Sequence, residues 1–155
     1  MQHLIFGVYL ALGSNQPMKR PPTDLQVLEE IYRRYYGEFA AFSRDSPERD
    51  TKVYVPIDIA AIAKHFKIDG DIIHGRLYYY LDHKYRIIRS DGSEVPFFHF
   101  KEDAMPSDRH QVQFPILASA IAQLREARNQ FLWATWLAAA SFVIAVLAFI
   151  VSVRC

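Results

Sequence analysis

Cysteine is almost missing from this chain: Cys155, the last residue, is the only one. An intrachain disulfide and a cysteine-based zinc site are therefore excluded. An excess of charge of either sign is missing too. There are 18 Lys+Arg against 17 Asp+Glu. All the acidic residues lie at or before Glu126, and Arg154 is the one basic residue beyond Arg128. Up to Gln130 the two signs therefore balance at 17 each. Domains that hold nucleic acid through its phosphates are usually clearly basic, and this one is not. The six His, at 3, 65, 74, 83, 99 and 110, form no close pair with a Glu of the kind a zinc hydrolase helix carries. Asp69-Gly70-Asp71 begins like a calcium loop but lacks the later ligands and the closing Glu. No phosphate loop or nucleophile elbow is present. The expectation is a protein that is not an enzyme and needs no cofactor or metal.

Apolar residues are abundant, at 51%, and they crowd toward the end. Phe131 to Val153 reads "FLWATWLAAASFVIAVLAFIVSV", with no charge, proline or glycine. As a helix it is about 35 Å long, enough for a bilayer core with some tilt. A small domain cannot cover every face of such a helix, so the expected partner is lipid. Trp133 and Trp136 lie where aromatic rings favour the headgroup zone. Arg125 and Arg128 precede the span, and only Arg154 and Cys155 follow it. This predicts a single-pass, tail-anchored protein with its N-terminal domain on the cytoplasmic side. At the other end, Leu4–Leu12 is apolar but short and has no basic leading segment. Residues 1–20 read as an apolar and basic arm, unless translation begins at Met18.

Between the ends lie three helical patterns. Thr23-x-x-Gln26 is a capping box. Behind it Leu25, Leu28, Tyr32, Tyr35, Phe39 and Phe42 form one apolar stripe, with Glu29, Glu30, Arg33 and Arg34 placed off it. "VYVPI" is a short extended segment that Pro56 keeps out of a sheet interior. Asp58 caps a second helix that buries Ile59, Ile62, Ala63 and Phe66. After the turn "KIDG", Asp71 caps a third, with Ile73, Leu77, Tyr80, Leu81 and the stem of Lys84 inward. "YRIIRS" and "EVPFFHF" read as strands joined by "SDGS", where Gly92 supplies a positive φ. Residues 102–114 read as a polar linker and 115–130 as a juxtamembrane helix, Pro115 in its first turn, with no breaker before the span at 131–153.

Helix, tight turn, helix and hairpin in that order resemble the winged helix-turn-helix family over residues 23–100. The fold class expected is α+β and mostly helical: a winged-helix domain (21–101) followed by a long helix that becomes the span. The resemblance implies a recognition helix and wing whose nucleic-acid contacts would be His74, Arg76, Tyr78, Lys84, Arg86 and Arg89. Asp71 and Asp82 would face phosphates with the wrong sign. Tyr78 and Tyr79 either pack under the wing or on the first helix, or stand exposed as a protein-binding surface. In the span, Ala134, Ala138, Ser141, Ala145, Ala148 and Ser152 recur at spacings of 4, 3, 4, 3 and 4. Small residues on one stripe let two helices approach closely, so a homodimer through this seam is expected, and it continues backward through Phe131, Ala127, Leu124 and Ala120. Two functions follow: a membrane-tethered regulator that binds DNA weakly as a dimer, or a membrane-anchored adaptor or effector whose domain binds protein or senses.

Overall fold

The computed structural model describes residues 20–43, 49, 51–100 and 110–154; the arm before Arg20, the residues 101–109 and Cys155 lie outside them. Five helices and two small sheets make up the described part. The helices are α1 (Asp24–Ala41), α2 (Ile59–Phe66), α3 (Gly70–Gly75), α4 (Asp82–Tyr85) and α5 (Phe114–Arg154). A π-helical turn, Arg76–Leu81, joins α3 to α4. The strands are β1 (Tyr54–Pro56), β2 (Ile87–Ile88), β3 (Glu94–Val95), β4 (Phe98–Phe100) and β5 (His110–Gln113).

The start of α1 follows from its capping box. Thr23 N–H donates to Gln26 Oε1 at 2.8 Å, and Gln26 N–H returns to Thr23 Oγ1 at 3.3 Å. Its stripe packs inward as expected at Leu28, but Val27 and Ile31 are buried as deeply. Two layers explain this: α1 meets α5 on one side and α2 and β1 on the other, so more than one stripe is covered. Glu30, expected on the polar face, is buried as a result. It is held by Arg33 and Arg34 at 2.7 Å each, with His65 Nδ1 at 3.6 Å.

Asp58 caps α2 by accepting the Ala61 N–H at 3.0 Å. The turn after α2 uses Lys67 in the left-handed region, φ 55°. The cap of α3 is Asp69, which accepts the Asp71 N–H at 2.8 Å, and not Asp71 itself. Beyond it the π turn inserts an extra residue, which rotates the later side chains against the regular helical period. Ile73, Leu77 and Leu81 are buried as expected, and after the π turn Asp82 and Tyr85 turn inward. Tyr80, expected in the core, is 51% exposed, and Lys84 is exposed as well.

The run 94–100 is two strands, not one. Pro96 has no N–H to give a ladder, and the chain changes partner there. Upstream, β3 pairs with β2 in a hairpin, Ile88 opposite Glu94. Gly92 sits at its turn with φ +81°. Downstream, β4 pairs with β5, and β5 with β1, all antiparallel, in the order β1-β5-β4. Pro56 lies on the edge strand, where a residue without a donor is tolerated. The central strand covers residues 110–113, expected as linker. Val112 and Gln111 are buried there, and Gln113 Oε1 accepts the Ile116 N–H at 2.8 Å to open α5.

Residues 115–130, expected as a juxtamembrane helix running on into the span, open α5, and its first turns belong to the core. Phe114, Ile116, Leu117, Ala120 and Ile121 are buried. Phe114 stacks on Phe39 at 4.8 Å and on Tyr32 at 5.3 Å. From there α5 runs on as one helix of 41 residues. Its Phe114–Val153 part is long and apolar enough to cross a membrane, and none of its most apolar window is buried among the described residues.

Candidate functional site

The surface of the α3–α4 run and the β2–β3 hairpin is built around one carboxylate. Asp82 is 3% exposed. Its Oδ1 accepts the backbone N–H groups of Phe97 and Phe98, at 2.8 and 3.0 Å. Its Oδ2 binds the Arg86 guanidinium. It therefore does not face solvent, as the regular helical period suggests, but ties the helix to the strand beyond Pro96.

That geometry decides what the expected cations can do. Arg86 lies between Asp82 and Glu94, and the hydrogen bond it donates to Asp82 holds its guanidinium above the usual arginine range. Arg76 donates to the Pro22 carbonyl and lies 3.8 Å from Asp24. Lys84 sits over the rings of Tyr80 and Tyr85, 5.5 and 5.3 Å from their centroids. Arg89 is exposed at the hairpin end, beside a turn closed by Asp91, which accepts from Ser93 N–H and Oγ–H at 2.9 and 2.7 Å. Hydrogen bonds from Ser93 keep the Asp91 carboxyl below its ordinary range, so an anion stands in the tip of the hairpin.

The aromatic residues have the opposite character. Tyr78, Tyr79 and Tyr80 are all exposed, Tyr79 at 74%. Tyr78 stacks on His74 at 5.7 Å and 9°, and meets Tyr79 edge-on at 5.0 Å. His74 lies 6.0 Å from Phe98 and 5.2 Å from His110, and Phe98 stacks on His110 at 5.7 Å. Phe100 completes the group and is itself part exposed. Tyr78, Tyr79, Phe98, His99 and Phe100 line an open cavity of about 620 Å³ together with Asp82 and Arg86. The reading from sequence placed His74 and Tyr78 on this surface. It missed Phe98, Phe100 and His110, which arrive on β4 and β5 from far along the chain. The run "FFHF" was their only local signal.

On α5, Ala134, Ala138, Ser141, Ala145 and Ser152 are exposed. The Ser141 hydroxyl donates within its own helix to the Leu137 carbonyl at 2.9 Å. The backward continuation of this seam is occupied: Ala120 is buried and Leu124 packs against the core. These two positions of α5 are thus covered by the folded domain itself.

No protein-family model, no curated protein and no solved structure matches the chain.

Proposed function

We propose that the chain is a bilayer-anchored recognition protein whose winged-helix-like domain binds another protein through the tyrosine face. The observation that carries this reading is the contrast between the two sets of side chains. Three consecutive tyrosines stand outward, Tyr78 and Tyr79 lining one cavity with Phe100, while Arg76 and Arg86 are spent on intramolecular partners. Tyrosine offers large contact area with few rotatable bonds, and it is enriched in the energetic centres of protein interfaces. A nucleic-acid surface needs free cations, and this face leaves Arg89 and the tyrosine-packed Lys84. In this reading 131–153 is the anchor, and Arg125 and Arg128 before it put the domain on the cytoplasmic side.

The test uses the full chain in the cell that makes it, with a photo-crosslinking residue at Tyr79 or, as control, at the exposed Lys64. The reading expects a discrete protein adduct from position 79 and none from 64. No adduct, or the same adduct from both, ends it. A second arm titrates mixed-sequence duplex DNA onto the nanodisc-embedded chain at low salt. Salt-sensitive binding that weakens when Arg76, Arg86 and Arg89 become Ala would put DNA in place of protein.

A further inference from the structure

Among the described residues β4 is the last strand of its sheet, and the ladder shows which of its backbone groups point outward. Next to it in β5, the Phe114 N–H donates to the Val53 C=O and the His110 C=O accepts the Ile57 N–H, both at 2.8 Å. Even-numbered residues of β5 thus turn their backbone to β1. The Gln113 N–H donates instead to the Phe97 C=O at 2.9 Å, so the odd-numbered ones serve β4. His99 stands opposite Gln111, so Phe97 and His99 are the residues of this run that face β5. The N–H and C=O groups of Phe98 and Phe100 therefore point to the far side. One of these four, the Phe98 N–H, is taken by Asp82 Oδ1 at 3.0 Å. The other three have no strand beside them among the described residues.

What lies beside this edge is the open cavity of about 620 Å³, and its other wall is the π turn with Tyr78 and Tyr79. An edge strand on one side and a helical wall on the other leave a trough shaped for an extended chain. Asp82 stands at one end of it and does for the Phe98 N–H what a strand carbonyl would do. Two residues on, about 7 Å along, Phe100 presents a donor and an acceptor in the same row. A row with that repeat matches a strand backbone, whereas a helix has its own groups bonded internally. The two charges of the lining, Asp82 and Arg86, are paired, and Arg86 is also held by Glu94. The charge match is thus to an uncharged segment. Tyr78 and Tyr79 are set at 87° with centroids 5.0 Å apart, and with the part-exposed Phe100 they give aromatic walls for its side chains. Aromatic and β-branched side chains at every second position suit such walls.

We propose that the partner protein adds a strand to β4. An extended, uncharged stretch of its chain lies in this trough, bonded to the Phe98 C=O and the Phe100 N–H, with alternate aromatic or β-branched side chains on Tyr78 and Tyr79. This names the mode of binding at the tyrosine face and rests on the reading of that face as a protein-binding surface.

The probe is a displayed library of short random peptides, selected on the full chain held as a single copy in nanodiscs. Enriched peptides are synthesised and N-methylated at one backbone position at a time. Methyl groups at every second position should weaken binding about tenfold or more, and those between should have little effect. On the chain, Phe100→Ala is compared with Phe100→Pro. Proline is tolerated on an edge strand whose N–H faces outward, and His99 before it is already in a strand. The Pro variant should bind about tenfold more weakly than the Ala variant. The methyl scan decides even where the Pro variant fails to fold. Without peptide the Phe100 amide should exchange freely, and with peptide it should be protected. Peptides whose binding falls with Tyr79→Ala but with no backbone methyl overturn strand addition and leave the protein-binding face standing. Enrichment indifferent to Tyr79→Ala, or no enrichment, removes both readings. Protection of the Phe100 amide in the single-copy chain without peptide also overturns the proposal, because the edge is then closed from within. Protection that appears only with two chains per nanodisc, and blocks the peptide, overturns it in favour of a second copy.

Discussion

The Asp82 carboxylate and the Phe97 backbone N–H meet at 2.8 Å, buried, across fifteen residues of chain. With Phe98 N–H on the same oxygen and Arg86 on the other, one side chain satisfies three donors. Asp82→Ala leaves two of them as buried amides without an acceptor. It should cost about 2–4 kcal/mol, with Arg86 discounted for its partial exposure. Asp82→Asn keeps an acceptor for both amides and should cost less. Hydrogen exchange at the Phe97 and Phe98 amides checks this; protection unchanged in the Ala variant would show that the bonds are not made.

Gly92 has φ +81° and nothing within 4 Å of a Cβ built on it. A larger residue is therefore opposed by the backbone alone, not by a clash. Gly92→Val should destabilise the domain by more than about 1 kcal/mol, and Gly92→Asn by clearly less. Denaturant midpoints of the two variants decide it, and equal midpoints would refute a backbone cause.

Lys67 pays the same kind of cost in the native chain, at φ 55° behind α2. Lys67→Gly should stabilise by about 0.5–1 kcal/mol, since glycine enters that region freely. A lower melting temperature in the variant would mean that the lysine makes a compensating contact.

Burial pushes the Glu30 carboxyl up, but hydrogen bonds from Arg34 and Arg33 outweigh it and hold the group below its ordinary 4.5. A carboxyl depressed by folding adds stability above its unfolded pKa. That stability is lost as the pH falls below about 4.5 and through the folded value. Glu30→Gln should be less stable than the native chain at neutral pH, with the gap closing as the medium is acidified. Unfolding free energies measured across that range check the sign.

The clamp between α1 and α5 has two parts of unequal weight. Arg125 and Glu29 are both well exposed, so Arg125→Ala should cost at most about 0.5 kcal/mol and less at high salt. Phe114 is buried against Tyr32 and Phe39, so Phe114→Ala should cost about 3–5 kcal/mol. Chemical denaturation of both variants should rank them in that order.

Local chemistry was readable from sequence wherever neighbours in the chain decide it. The Thr23 box, the Asp58 cap, the Gly92 turn and the edge position of Pro56 are of this kind. Where distant segments decide, periodicity failed. The π turn moved Tyr80 outward and Asp82 inward, because one inserted residue shifts every later side chain. Strand β5 hid in a polar run, since only its pairing with β1 and β4 makes "HQVQ" a centre. Part of the aromatic surface was legible, at His74 and Tyr78. Phe98, Phe100 and His110 were not, because their place depends on that same pairing.

Helix α5 has no glycine and no proline after Pro115, and its first two turns are locked into the core. It has no hinge. If the apolar half is anchored in a bilayer as proposed, any lean imposed on it would be passed whole to the folded half. From Phe131 back to Phe114 is about 25 Å of helix, so an ordinary tilt of about 20° swings the far end sideways by about 9 Å. Under the proposed membrane anchoring, a change of tilt would thus move the Tyr78 and Tyr79 face together with the rest of the domain.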